Sequence, residues 1–180
     1  MPPSVDPRQL SLFGAAWTLG SIRYLAAAGA AAVTYYETAG PRGVIERTAG
    51  SPWPKHFPSR ASQTFPLYHV LADVLEMGEA TAAPVTSSAP LTAEALLLKQ
   101  GNRTRMLVAN LSPEAITVRV PWPGANRKLR LRKLDETSVS MASESAAQWR
   151  AKDGDQLTLS GESFDLALGA YAVARLDSVA

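Results

Sequence analysis

Val33-Thr34-Tyr35-Tyr36-Glu37-Thr38-Ala39-Gly40-Pro41 is an apolar run that ends in a carboxylate and breaks at once into a Gly-Pro turn. Residues 31–36 are β-branched and aromatic, bounded by glycines and apolar on both faces, which predicts a parallel strand covered by helices. A carboxylate at the carboxyl end of such a strand stands where barrel enzymes place their catalytic groups. Glu37 is therefore the candidate general acid, base or nucleophile. The structural alternative is a carboxylate that caps the turn or pairs with Arg42.

Helical patterns flank the strand on both sides. Asp6-Pro7-Arg8-Gln9 reads as a helix start, with Asp6 as the cap, Pro7 at the first helical position and Gln9 at capping-box spacing. Leu10, Phe13, Trp17, Tyr24 and Ala28 recur at a helical period, and Gly29 supplies the C-terminal left-handed residue. Trp17 and Tyr24 lie on the apolar stripe and are expected in the core. A second helix starts near Pro66, carries Leu67, Val70, Leu71, Val74 and Leu75, and stops at Gly78. On it, His69 has no metal-ligand partner at i+4 and is expected to satisfy a hydrogen bond where the helix meets the next domain.

Between strand and second helix, residues 40–63 form a loop rich in Pro, Gly and Ser, on the same face as Glu37. It carries Arg42, Trp53, Lys55, His56 and Phe57. Trp53 can stack on a sugar ring, while Lys55 or His56 can hold a carboxylate or an oxyanion. Tyr36 and Arg42 complete the candidate binding set. The competing reading is a loop cover whose aromatics pack on the rim. Glu46 is the one nearby acid, and no second carboxylate accompanies Glu37 at helical or strand spacing, so two-carboxylate chemistry needs a partner from elsewhere.

Residues 79–90 hold little that can be buried and read as a linker, with a boundary near residue 85. Beyond it the period changes to two. Short strands are expected at 95–99, 104–110, 115–120, 128–132, 156–159 and 171–176, separated by turns such as Pro121-Trp122-Pro123-Gly124 and Lys152-Asp153-Gly154-Asp155. Antiparallel strands with no intervening helix predict a β-sandwich. The alternation of Lys128, Arg130, Arg132 and Lys133 with leucines is read as the solvated face of a strand.

Composition narrows the function classes. The chain has 180 residues, 46% of them hydrophobic, with eighteen basic against sixteen acidic side chains and a formal charge of +2. That surplus is too small to argue for nucleic acid or an anionic membrane as partner. Cys is absent, which removes disulfides, thiol nucleophiles and sulfur ligands and favours the cytoplasm. No secretory signal and no apolar run of the roughly 20 residues that span a bilayer is visible. No phosphate loop, nucleotide fingerprint, zinc spacing or Gly-x-Ser-x-Gly turn is present, so neither a cofactor nor a metal is expected.

Taken together, Ala15-Ala16-Trp17-Thr18, Ala28-Gly29, Val33-Thr34-Tyr35-Tyr36-Glu37-Thr38 and Phe65-Pro66-Leu67-Tyr68-His69-Val70-Leu71-Ala72-Asp73 resemble the last helix-strand-helix of a glycoside-hydrolase-like (β/α)8 barrel. The tail from Phe164 to Asp177 is similar to the closing strands of the small β-sandwich that often succeeds such barrels. Among families of this build the chain resembles D-apionate lactonase. The resemblance implies an α/β plus all-β chain. Residues 1–82 would be the C-terminal segment of a TIM barrel, 83–90 a linker and 91–180 a β-sandwich accessory domain. It implies a hydrolase that opens a sugar-acid lactone by water attack, with a small carbohydrate or sugar acid as partner and Glu37 at the barrel mouth. Because the first six and a half βα units are missing, the chain alone is expected to be inactive. A retaining glycoside hydrolase of the same barrel clan is the alternative, and a non-catalytic sandwich module for binding or structure is another.

Overall fold

In the computed structural model, which describes residues 1–123 and 127–179, the first regular element opens at Asp6. Its carboxylate accepts the Arg8 backbone N–H at 2.9 Å, and Pro7 opens a single 3-10 turn, Pro7–Leu10. Gln9 does not reach back to close a capping box: its amide donates to the carbonyl of Gly43, far along the chain. Helix α1 comes next, Leu12–Ala27, and Gly29 ends it at φ 76°. Gly14 is required there, since a Cβ would sit 2.9 Å from the Arg8 carbonyl oxygen.

Helix α1 is apolar nearly all round but is covered on one side only. Ala15, Ala16 and Leu19 are buried, whereas Trp17 is 51% and Tyr24 39% exposed, so the expectation of core positions for these two rings is overturned. They face away from the one layer that the chain provides. The Tyr24 hydroxyl is nonetheless anchored, donating at 2.6 Å to the buried carboxylate of Glu94.

The expected strand over 31–36 is not formed either. Residues 31–34 are irregular and exposed, and pairing begins only where it was expected to end, at strand β1, Glu37–Ala39. Its one partner is β2, Gly43–Ile45, parallel to it across the Gly-Pro turn. A parallel strand is held by neighbours on each side; residues 31–36 have none among the described residues. Helix α2, Pro66–Leu75, matches its predicted start and packs on α1. No helix among the described residues is long and apolar enough to cross a membrane.

The second half is a sandwich of unequal layers. Strands β3 (Thr81–Ala83), β4 (Ala93–Gln100), β5 (Arg103–Asn110), β7 (Lys128–Leu134), β8 (Asp155–Thr158) and β10 (Val173–Ser178) form a six-stranded antiparallel sheet in the order β3-β4-β5-β10-β7-β8. Strands β6 (Ile116–Pro121) and β9 (Ser163–Leu168) pair as a second, two-stranded sheet. The larger sheet is a middle layer. Leu97, Met106, Leu129, Leu131 and Leu176 face β6 and β9, while Leu96, Leu98, Leu107, Ala109 and Leu134 face α1 and α2. This double burial explains why Leu96-Leu97-Leu98 is apolar without alternation.

Three features depart from the sequence reading: β9 falls outside the period-two runs expected as strands. Residues 81–83, placed at or next to the linker, pair as β3 with β4. Two short helices, α3 (Val139–Glu144) and α4 (Ala146–Ala151), interrupt the strands, their Ala142 and Trp149 completing the core on the α1 and α2 side. The expected turn at Pro121–Gly124 reaches Gly124, and the sandwich range reaches 124–126 and Ala180; these lie outside the described residues.

Candidate active site

Glu37 opens β1 and projects from a compact hook. The Glu37 N–H donates to the Arg42 carbonyl at 2.8 Å, Gly43 N–H to Gly40 oxygen at 2.8 Å, and Gly40 N–H to Ile45 oxygen at 2.8 Å. Gly43 permits this closeness, since a Cβ would lie 2.8 Å from the Ala39 backbone. Just before it, Tyr36 takes φ 39°, a left-handed conformation that bulky residues rarely adopt. The side chain is fixed at its far end: Tyr36 donates to Thr18 Oγ1 at 2.9 Å while Thr18 donates to the Gly14 carbonyl at 2.7 Å. Burial, against the weaker opposing pull of that Thr18 bond, raises the Tyr36 phenol above its ordinary pKa, so it stays protonated at neutral pH.

The Glu37 carboxylate is about half exposed and forms an ion pair with Arg42, itself about half exposed. Glu37 is the first residue of β1 and not the carboxyl end of the expected strand over 31–36, and its carboxylate pairs with Arg42, as the structural alternative has it. An exposed pair of this kind is held weakly and can open to a ligand.

The remaining predicted residues divide. Trp53 is half-buried and packs with Tyr36, Val44 and Leu71 around buried Val5, Phe57, Phe65 and Leu67. The loop aromatics therefore form a small core of their own under the rim. Lys55 and His56 are exposed on the loop, and among the described residues neither forms an ion pair with Glu37. Tyr36, Glu37, Arg42 and Trp53 are brought to one region. Lys55 and His56 join it only through their nearness in sequence to Trp53, whose carbonyl accepts the His56 N–H at 2.9 Å.

Glu46 is more deeply placed than its loop position suggests. It is 2% exposed and accepts the Arg47 backbone N–H at 2.8 Å and the Ser59 hydroxyl, which pins the start of the loop to its return. The Arg47 guanidinium lies over Gly40, whose missing Cβ makes room for it. A buried carboxylate in a Gly-rich loop carries a signal only through its partner, and Ser59 is thirteen residues away. Next to Tyr36, the chain also forms a groove of about 290 Å³ lined by Asp6, Arg8, Phe13 and Trp17. Among the described residues no group of His, Asp and Glu side chains is arranged to hold a metal.

Comparison with known proteins adds the family. Residues 1–79 match the model of the D-apionate lactonase TIM barrel domain, and residues 90–176 match that of the D-apionate lactonase C-terminal immunoglobulin-like domain. The chain belongs to the D-apionate lactonase family. No curated protein matches it significantly. Its fold is similar to that of a GH30 endoxylanase from Clostridium papyrosolvens C71, with TM-score 0.61 and 10% identity over 96% of this chain and 39% of that one. It also resembles the xylanase Xyn30A from Clostridium acetobutylicum (TM-score 0.61, 9% identity, 95% of this chain and 40% of that one). A GH39 β-xylosidase from Caulobacter crescentus is a third (TM-score 0.58, 14% identity, 100% and 42%). The chain thus spans about two-fifths of these solved structures, and carries the end of a glycoside-hydrolase-like barrel with its sandwich.

Proposed function

We propose that the chain is the C-terminal part of a carbohydrate-active hydrolase that opens a sugar-acid lactone. The observation that supports this reading is the match of both halves to D-apionate lactonase domains, with a half-exposed carboxylate, Glu37, at the start of β1 beside Arg42. Sugars or sugar acids are the substrate class that the reading calls for.

In the proposed reaction a water attacks the lactone carbonyl and Glu37 takes its proton as general base. Arg42, released from Glu37 as substrate enters, stabilises the oxyanion that forms on the carbonyl oxygen; as that intermediate collapses the ring C–O bond breaks, and Glu37 returns its proton to the departing ring oxygen, which leaves as the alcohol. Lys55 and His56 hold the product carboxylate, and the faces of Tyr36 and Trp53 bind the apolar side of the sugar. The other groups come from barrel elements that this chain does not contain, so the chain by itself is inactive.

The test is Glu37→Gln in the longer protein, assayed against aldonolactones and, in parallel, against aryl glycosides. Loss of lactone hydrolysis by about 100-fold or more is expected, the range a positioned general base supplies. Unchanged lactone hydrolysis excludes the role of Glu37; turnover of glycosides in place of lactones replaces the reaction.

A further inference from the structure

Where α4 crosses β7 and β10, a cavity of about 130 Å³ is walled by Arg130, Arg132, Arg150, Lys152 and Arg175, with Asp153 and Asp177 beside them. A single water needs only about 10–15 Å³, so the space admits a larger guest. Beneath the cavity lie Asp73 and Glu76 at the end of α2, and Arg105 from β5. Six cations therefore meet four carboxylates, leaving two positive charges without a counter-charge.

The carboxylates are already taken. Asp73 Oδ1 accepts from Arg132 at 3.0 Å, Arg150 at 2.7 Å and Arg175 at 2.8 Å. Asp177 is shared between Arg105 and Arg175 at 2.6 Å each, and Asp153 accepts from Arg130 at 2.5 Å. The Arg132 Nε is buried and has no acceptor among the described residues. Burial, outweighing Asp73, lowers the Arg132 guanidinium from its ordinary pKa, as expected for a cation short of negative partners. Lys152 is exposed and has no carboxylate partner among the described residues.

We propose that this cavity binds a small doubly charged oxyanion, inorganic phosphate or the phosphate group of a phosphorylated sugar. Two uncompensated charges match a dianion, and planar guanidiniums suit tetrahedral oxygens better than they suit chloride. The cavity lies at the C-terminal end of α2, whereas the Phe65 N–H that precedes its first turn donates to Val44 on the hook side. It is thus separated from Glu37 by the length of the helix and does not depend on the proposed reaction.

Titration of the 180-residue chain with sodium phosphate at constant ionic strength, read by calorimetry and by melting temperature, tests this. Saturable binding and a rise in Tm with phosphate, absent with chloride, are expected. Arg130→Gln/Lys152→Gln, which leaves the Asp73 cluster intact, should weaken binding by about tenfold or more. Asp153→Asn, at an exposed position that folding tolerates, should tighten it several-fold by freeing Arg130. Glucose 6-phosphate that binds as tightly as phosphate or tighter identifies a phosphorylated sugar as the source, and weaker binding identifies the free ion; each supports the site. Non-saturable binding, an equal response to chloride, or affinity unchanged in both variants overturns it.

Discussion

The two halves of the chain satisfy their apolar surface to different degrees. In the sandwich, the middle sheet is covered on both faces, and Leu107, Leu129 and Leu176 are fully buried. In the barrel segment, α1 is covered on one face, residues 31–34 are exposed, and Trp17, Tyr24, Leu25 and Val33 stand in solvent. This contrast separates surfaces that are complete from surfaces shaped to meet something else. Trp17, Tyr24, Leu25 and Val33 thus leave, on and after a helix that is apolar nearly all round, a surface that the described residues do not cover.

The contrast is most open to disproof at the ionic seam between the halves. Asp73→Asn removes the carboxylate that three arginines share; the expected loss is about 3–5 kcal/mol in denaturant unfolding, because the cations remain buried. A stability unchanged by this substitution would show that the seam is not what joins the halves. Within the sandwich, Leu107→Ala, at a position with 0% exposure, should cost about 2–5 kcal/mol, against about 0.5 kcal/mol or less for Trp17→Ser at 51% exposure. Equal costs at the two positions would erase the distinction between covered and uncovered faces. Trp17→Ser should also reduce self-association, measured by light scattering.

A pH series probes the same seam. His69 is 1% exposed; its Nε2 donates to the Ala142 carbonyl at 3.0 Å and its ring lies 4.5 Å from that of Trp149. Burial, with Arg150 and Arg132 adding repulsion and Ala142 and Asp73 opposing, lowers its pKa to about 4. The unfolded chain, with an ordinary His near 6.5, then binds the proton more readily than the folded one. Stability is accordingly full above pH 6.5 and falls as the pH drops toward 4, by up to about 3 kcal/mol. Melting temperatures between these values should fall less in His69→Gln; the same slope in both proteins would assign the effect to other groups. The smallest effect belongs to the exposed pair: Arg42→Ala should change stability by no more than about 0.5 kcal/mol, seen by thermal melt.

Much of the arrangement is legible in the residues because it is locally coded. Pro66 and Gly78 bracket α2, Asp6 and Pro7 open the first turn, and the period-two runs become strands. The strand expected at 31–36 is not formed, because its β-branched and aromatic residues find no pairing partner among the described residues. Helices α3 and α4 leave no such trace because six-residue elements show no full apolar period. The arginine seam is hidden because Arg132 alternates with leucines as a solvated residue would, and its partner Asp73 is 59 positions away. At the candidate site, Glu37 and Arg42 are close in sequence and their pairing can be read directly, whereas the burial of Glu46 depends on the loop's return at Ser59.

The convergence of Arg132, Arg150 and Arg175 on one oxygen of Asp73 also has a mechanical meaning. These arginines reach it from β7, α4 and β10, so a force that slides α2 along the sheet must break three charge-assisted bonds at once rather than in turn. Such a clamp resists shear, and it sets the angle between helix and sheet as firmly as a rivet through three plates. Helix α2 is therefore tied to the sheet at its C-terminal end, while at its other end the Phe65 N–H ties it to Val44 in the segment between Gly40 and Gln63.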